Sequence, residues 1–263
     1  MTGYSLGNDP QELARLDRQA QAIAQPTAML LQAAGIERGM RVLDLGTGLG
    51  HVALQVAAMV GPEGSVVGID QSAEALEVAR TRAGPNVCFE QADALEFRDP
   101  EPFDAIVARL LLFHLADPVA FMRRQAEALR PGGVVVAIDF DVGGARTEPP
   151  VRLVEAARNW IEAGFRSGGA NPRIGARLVT ILRDAGFNAV VTIGLQSYVA
   201  PGDPSGPAMV AGVVRSLAAR ITAEGIATAA EIEGLEERLG AALREADAVL
   251  LLPTVAGAWG RKA

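Results

Sequence analysis

The stretch Val42-Leu43-Asp44-Leu45-Gly46-Thr47-Gly48-Leu49-Gly50-His51 decides the fold class. An apolar run closed by alternating glycines reads as a strand feeding a tight turn that opens a helix. Glycine lets the backbone turn sharply and lets a ligand approach without a Cβ in the way. The helix start behind the turn presents N–H groups that have no partner within the helix. Two ligand classes use such a turn. A dinucleotide calls for G-x-G-x-x-G, or Ala in the last place. Here that place is His51, which disfavours a nicotinamide dehydrogenase. The spacing that fits is D-x-G-x-G-x-G, from Asp44 to Gly50.

Outward from this turn, short apolar runs alternate with helical stretches. The expected strands are Val42–Leu45, Ser65–Ile69, Val87–Glu90, Phe103–Ala108 and Val134–Asp139. The expected helices between them are Gly50–Val60, Ser72–Arg82 and Asp117–Leu129. Continuous apolar strands imply helices on both faces, and the βαβ order implies a parallel, doubly wound sheet. Upstream, Asp9, Pro10 and Glu12 signal a helix start, with Leu13, Leu16, Ala20 and Ile23 at helical spacing. Pro26 is expected to interrupt it, and a second helix to run from Thr27 to Gly35. Downstream, helices are expected near Val151–Arg166, Gly175–Ala185, Ala208–Thr222 and Thr228–Ala246, and strands near Ala189–Val199 and Pro253–Arg261.

The whole reads as one domain with a Rossmann-like, seven-stranded sheet, mostly parallel with the last strand antiparallel, plus helical cap insertions. Residues 1–38 form an N-terminal helical lid and 39–142 a ligand-binding half. Segments 143–170 and 200–248 form the cap, and 171–199 and 249–263 complete the sheet.

The 263 residues are 49% hydrophobic and 21% charged, an ordinary composition for a folded globular chain. A net charge of −7 argues against a non-specific nucleic-acid binder. No window approaches the roughly 18 apolar residues of a membrane span, and the start of the chain lacks the pattern of a signal peptide. A cytoplasmic location and no membrane partner are therefore expected. Cys88, the single cysteine, can form no internal disulfide and is expected in the core.

Three further motifs follow in order. Asp70 ends the second strand, where an acid can accept both hydroxyls of a ribose, and Gln71 beside it can edge an adenine. Asp93 follows the third strand in Gln91-Ala92-Asp93-Ala94. Arg130-Pro131-Gly132-Gly133 forms a helix-to-strand turn. With Asp44–Gly50, these motifs resemble the class I S-adenosylmethionine-dependent methyltransferases over residues 40–140. The likeness is greatest to small-molecule enzymes of the ubiquinone/menaquinone-biosynthesis and natural-product types.

The resemblance implies an S-adenosylmethionine site at Asp44, Gly46, Thr47, Gly48 and Gly50, with Asp70 and Gln71. It also implies that Asp93 takes the adenine amino group and that the Ala94 N–H reaches a ring nitrogen. The stretch Tyr4–Gln19 looks like the lid segment of that group, so Tyr4 or Gln19 would touch the methionine end of the cofactor.

The end of the fourth strand, Ala108-Arg109-Leu110-Leu111, lacks the Asn/Asp-Pro-Pro-aromatic loop of amino-methylating enzymes. It also lacks the acid that magnesium-dependent catechol-type enzymes place there, and Arg109 would repel the ion, so no metal is expected. Arg109 suits a cofactor carboxylate or an anionic substrate.

His114 and Asp139 are the candidate catalytic residues, a base and an orienting or proton-accepting acid. Asp141 lies at the same edge. Trp160 and Phe165 are candidates to line an apolar acceptor pocket. The expected partner is a small-molecule acceptor, not nucleic acid. The acidic amphipathic stretch Glu231–Asp247 offers the cap helices as a surface for pairing protomers. The alternative is a protein of this fold that holds the cofactor structurally and catalyses a non-methylating reaction or binds a small ligand.

Overall fold

The computed structural model describes residues 10–263, with side chains from Leu16 onward. Helices α1 (Pro10–Ala22) and α2 (Ala24–Ala33) precede an alternating run: β1 (Arg41–Leu45), α3 (His51–Val60), β2 (Ser65–Asp70), α4 (Ala73–Thr81), β3 (Val87–Gln91), β4 (Phe103–Arg109), α5 (Pro118–Gln125) and β5 (Leu129–Asp141). There follow β6 (Arg146–Glu148), α6 (Arg152–Ser167), α7 (Leu178–Asp184), β7 (Asn188–Leu195), β8 (Tyr198–Val199), α8 (Ser205–Ala223), α9 (Ala229–Ile232), α10 (Leu235–Glu245), β9 (Val249–Leu251) and β10 (Thr254–Arg261).

Seven strands form the main sheet in the order β3-β2-β1-β4-β5-β10-β7. The first five pair in parallel, while β10 lies antiparallel between β5 and β7. Period-two alternation sorts the strand side chains into two cores. Val42, Val66, Val107 and Val136 pack under α2, α3 and α4. Leu43, Val67, Ile106 and Val135 pack under α5 and α7. The strand order reverses between β1 and β4, and ligands of open α/β sheets bind outside the strand ends at such a point.

A third core belongs to the cap. Val154, Ile161 and Phe165 of α6 meet Val214, Leu217 and Ile221 of α8, with Leu235, Leu239 and Leu243 of α10 behind them. A small sheet, β6-β9-β8, joins this core to the main body. Among the described residues no helix is long and apolar enough to cross a membrane.

Several elements depart from the sequence-based expectation. Pro26 lies inside the first turn of α2, where its missing N–H costs no helical bond. The expected helix Thr228–Ala246 is two, parted at Gly234 with φ +60°. The expected strand Ala189–Val199 divides, β7 staying in the main sheet and β8 joining the small one. Cys88 is exposed, not buried. It lies on the edge strand β3, whose Phe89 faces the core under α3 and α4 and leaves Cys88 on the opposite face.

Candidate functional site

At the reversal of strand order the glycine turn, the ends of β2 and β4 and helix α1 enclose a cavity of about 300 Å³. Gly46, Thr47, Gly48, Asp70, Gln71, Ala94, Arg109 and His114 all line it, as do Gln19 and His51. Asp70 is fixed from both sides. Its Oδ2 accepts the Gly48 N–H at 2.8 Å and its Oδ1 the Ser72 N–H at 2.9 Å. The carboxylate thus ties the glycine turn to the start of α4, and each oxygen keeps further acceptor capacity for a ligand.

The glycines of the turn divide in role. Gly48 has φ +51°, and a Cβ there would meet no atom of the described residues within 4 Å. It is a place of open backbone on the cavity wall. Gly50 has φ +80°, but a Cβ there would lie 2.7 Å from Phe89 Cζ and 3.1 Å from Ala79 Cβ. Gly50 therefore closes α3 against β3 and α4, and it does not line the cavity.

Asp44 stands behind the turn, 1% exposed. It accepts the Thr47 hydroxyl at 2.6 Å, and burial pushes its carboxyl up to about 7 against the lowering effects of that bond and of Arg109. Arg109, lowered to about 10 by burial, donates to Thr27 Oγ1 at 3.2 Å. The Thr27 hydroxyl in turn donates to the Ile23 carbonyl at 2.7 Å. This chain of contacts links β4 to the helices over the cavity. Above the turn, Arg82 Nη1 lies 3.0 Å from Asp17 Oδ1, so α1 is held to the end of α4 by charge. His51 Nε2 lies 2.9 Å from the same oxygen, but burial lowers the imidazole's pKa from its ordinary value, against the pull of Asp17.

Asp93 is not on the cavity wall. Its Oδ1 accepts the Leu95 N–H at 2.8 Å, and its neighbours Ala92 and Ala94 face the cavity. Tyr4 lies outside the described residues.

A second cavity, of about 160 Å³, adjoins the first beneath the cap. Its walls come from α6, α8, the β5 end and β9, and nearly all are apolar, among them Ile161, Phe165, Val210, Val213 and Leu251. Leu16, Gln19, Leu110 and His114 line both cavities and mark where they meet. Leu110 holds φ +54°, a left-handed conformation that costs a non-glycine residue about 1–2 kcal/mol. It turns the chain sharply after β4, between the two cavities. Burial pushes His114 down to about 4, so its imidazole is neutral near pH 7.

Asp139 lines the second cavity, 1% exposed. It accepts the N–H groups of Phe113 at 3.2 Å and Phe140 at 3.0 Å, and burial raises it to about 7. Asp141 caps a local turn through Gly143 N. Phe165 lines the cavity, whereas Trp160 packs within the cap core.

Sequence reasoning missed Thr27, Leu110 and Arg158. Thr27 and Leu110 carry no signal of their own in the sequence. Arg158, which lines the second cavity, breaks the apolar stripe of α6 formed by Val154, Ile161 and Phe165, a pattern readable in advance.

Comparison with known proteins agrees with this architecture. A family model described as a methyltransferase domain matches residues 36–175, just over half the chain. The chain belongs to that methyltransferase family. It is 33% identical over 159 residues to methyltransferase GfsG of Streptomyces halstedii, covering 58% of this chain and 55% of that protein. It is 34% identical over 116 residues to the ubiquinone/menaquinone biosynthesis C-methyltransferase UbiE of Idiomarina loihiensis, covering 42% of this chain and 46% of that one. The chain thus spans about half the length of these curated relatives. In fold it is similar to phosphoethanolamine N-methyltransferase 2 of Haemonchus contortus, solved with S-adenosylhomocysteine, at TM-score 0.57 and 20% identity over 90% of this chain and 52% of that one.

Proposed function

We propose that the chain transfers a methyl group from S-adenosylmethionine to a small-molecule acceptor seated in the apolar cavity beneath the cap. One observation carries this reading: a polar cavity at the glycine turn and an apolar cavity under α6 and α8 share the wall Leu16, Gln19, Leu110 and His114. A cofactor in the first and an acceptor in the second would meet there. The residues present fit the cofactor. Gly48 leaves room for close backbone approach, and Asp70 is pre-set to accept ribose hydroxyls. Arg109, on the wall with its charge retained near pH 7, suits the carboxylate of the methionine portion.

When bound, the cofactor would supply an electrophilic methyl, whose bond to sulfur would break in line as the bond to the acceptor atom forms, with S-adenosylhomocysteine as the leaving group. The chain's task is alignment and exclusion of water, and alignment alone can lower such a barrier by up to about 7–11 kcal/mol. The cap core and the apolar walls exclude water. His114, neutral and on the shared wall, is placed to orient or accept the acceptor's proton. Asp139 is held rigidly by two backbone N–H groups and is poised near neutral pH, so it is the second proton acceptor on the acceptor side.

The test is product mass. Wild-type protein incubated with methyl-deuterated S-adenosylmethionine and a panel of small apolar alcohols, phenols, amines and activated carbon acids should yield a product gaining one labelled methyl. Conversion of a panel member without methyl gain would favour a non-methylating reaction instead.

A further inference from the structure

The apolar cavity has one feature that methyl transfer does not use. Arg158 is the single arginine or lysine on its wall among the described residues. It sits four residues after Val154 and three before Ile161, on the helical stripe that faces the cavity. Its Nη1 donates to the Ala145 carbonyl and its Nη2 to Asn159 Oδ1, each at 3.2 Å. Its Nε is buried and has no hydrogen-bond partner among the described residues.

No carboxylate of the described residues pairs with it. Glu162, one turn along α6, is already taken: it accepts from Arg166 at 2.7 Å and from Arg173 at 2.9 and 3.0 Å. Glu162 therefore acts on Arg158 only at longer range, and a half-buried cation on an apolar wall with no carboxylate in contact favours an anion that comes to it. Arg158 also lines only the acceptor cavity and not the cofactor cavity, unlike His114 and Leu110. The charge is therefore displaced from the place where the two cavities meet.

We infer that Arg158 anchors a carboxylate on the acceptor, so that the substrate is an apolar molecule with an anionic end held at α6 and its methylated atom directed to His114. The carboxylate is the handle and not the methylated group. Planar guanidinium matches carboxylate geometry, and a charge-assisted bond in an apolar cavity is worth more than its exposed counterpart. The inference rests on the acceptor-cavity reading above and deepens it.

The experiment compares charge at constant shape. Straight-chain alkanoates of six to twelve carbons and 3-phenylpropanoate, each beside its primary amide, are titrated calorimetrically into wild type, Arg158→Gln and Arg158→Lys, all with S-adenosylhomocysteine present. The affinity for S-adenosylhomocysteine itself is measured on the same samples. In wild type at least one carboxylate should bind at least tenfold more tightly than its amide. Arg158→Gln should erase that preference while keeping the affinity for the amide and for S-adenosylhomocysteine, and Arg158→Lys should keep part of it. Equal binding of every acid and its amide in wild type overturns the inference, as does an unchanged preference in Arg158→Gln. Should Arg158→Gln fail to fold, the wild-type comparison and Arg158→Lys still decide. Loss of S-adenosylhomocysteine binding in wild type would instead defeat the cofactor reading and leave the carboxylate preference to be judged on its own numbers.

Discussion

Two glycines two residues apart should fail in opposite ways when given a methyl group. Gly50→Ala places a Cβ 2.7 Å from Phe89 Cζ and 3.1 Å from Ala79 Cβ, both buried side chains under α3 and α4. Its φ of +80° adds the left-handed cost of about 1–2 kcal/mol, and overpacking adds about 1–3 kcal/mol. The expected loss of stability is about 2–5 kcal/mol. Gly48→Ala carries the same backbone cost at φ +51° but meets no atom of the described residues, so it should lose only about 1–2 kcal/mol. Its methyl, however, sits on the wall proposed to receive the cofactor. Urea unfolding of both variants, followed by calorimetric titration with S-adenosylhomocysteine under conditions where each is folded, separates the two costs. Gly48→Ala should lose at least tenfold in affinity with a small shift in midpoint. Gly50→Ala should show the large midpoint shift and near wild-type affinity. Equal destabilisation of the two, or intact binding by Gly48→Ala alongside loss in Gly50→Ala, would refute this division of roles.

Asp70→Ala should weaken S-adenosylhomocysteine binding by about 10- to 100-fold, because charge-assisted bonds to a ribose are worth about 1.5–3 kcal/mol; an affinity within threefold of wild type would show that the ribose lies elsewhere. Asp139 has its folded-state pKa raised to about 7, so it binds a proton in the folded state that the unfolded chain releases near 3.8. Its stabilising contribution is present below pH 3.8 and is lost as pH rises through 7, and chemical denaturation should find Asp139→Asn gaining up to about 4 kcal/mol on wild type between pH 4 and pH 8. His114 has the opposite sign, its pKa lowered to about 4, so wild type should lose stability relative to His114→Gln as pH falls from 6.5 to 4, measured by the same unfolding series. Glu162→Ala should destabilise the cap by about 1–3 kcal/mol, less than a fully buried pair because Arg166 and Arg173 are more than half exposed, and hydrogen exchange should localise the loss to α6.

Much of the fold is legible in the sequence because local rules and tertiary packing agree there. Val42, Leu43 and Leu45, and Phe103 with Ala105–Ala108, put buried apolar side chains on both faces, and both strands are central. Legibility fails where pairing partners are distant. Val249–Leu251 is a three-residue strand whose identity depends on β6 and β8, more than fifty residues away in the chain. The split of the expected helix at Gly234 was open to reading, since an isolated glycine between two charged helical stretches is a stop signal. Cys88 shows the limit of burial statistics: composition favours the core, and only strand order reveals that β3 is an edge.

For the site, spacing brought Gly46, Gly48 and Asp70 to one wall because turn chemistry and strand ends are local. Spacing could not tell that Gly50 packs against Phe89 or that Asp93 turns its carboxyl to Leu95. Those are decided by side chains from other elements and by loop geometry. His114 and Asp139 looked alike as candidates in the sequence. The fold puts one on the wall between the cavities and the other at the end of β5, lining the second cavity alone.

The central claim is that the cavity above Gly48 and Asp70 takes an adenosyl sulfonium cofactor. Calorimetric titration of S-adenosylhomocysteine into the wild-type chain tests it most directly. The account predicts saturable binding at one site per chain with a dissociation constant on the order of micromolar, about −8 kcal/mol. A chain that is folded by circular dichroism and yet takes up no S-adenosylhomocysteine at millimolar concentration would contradict it.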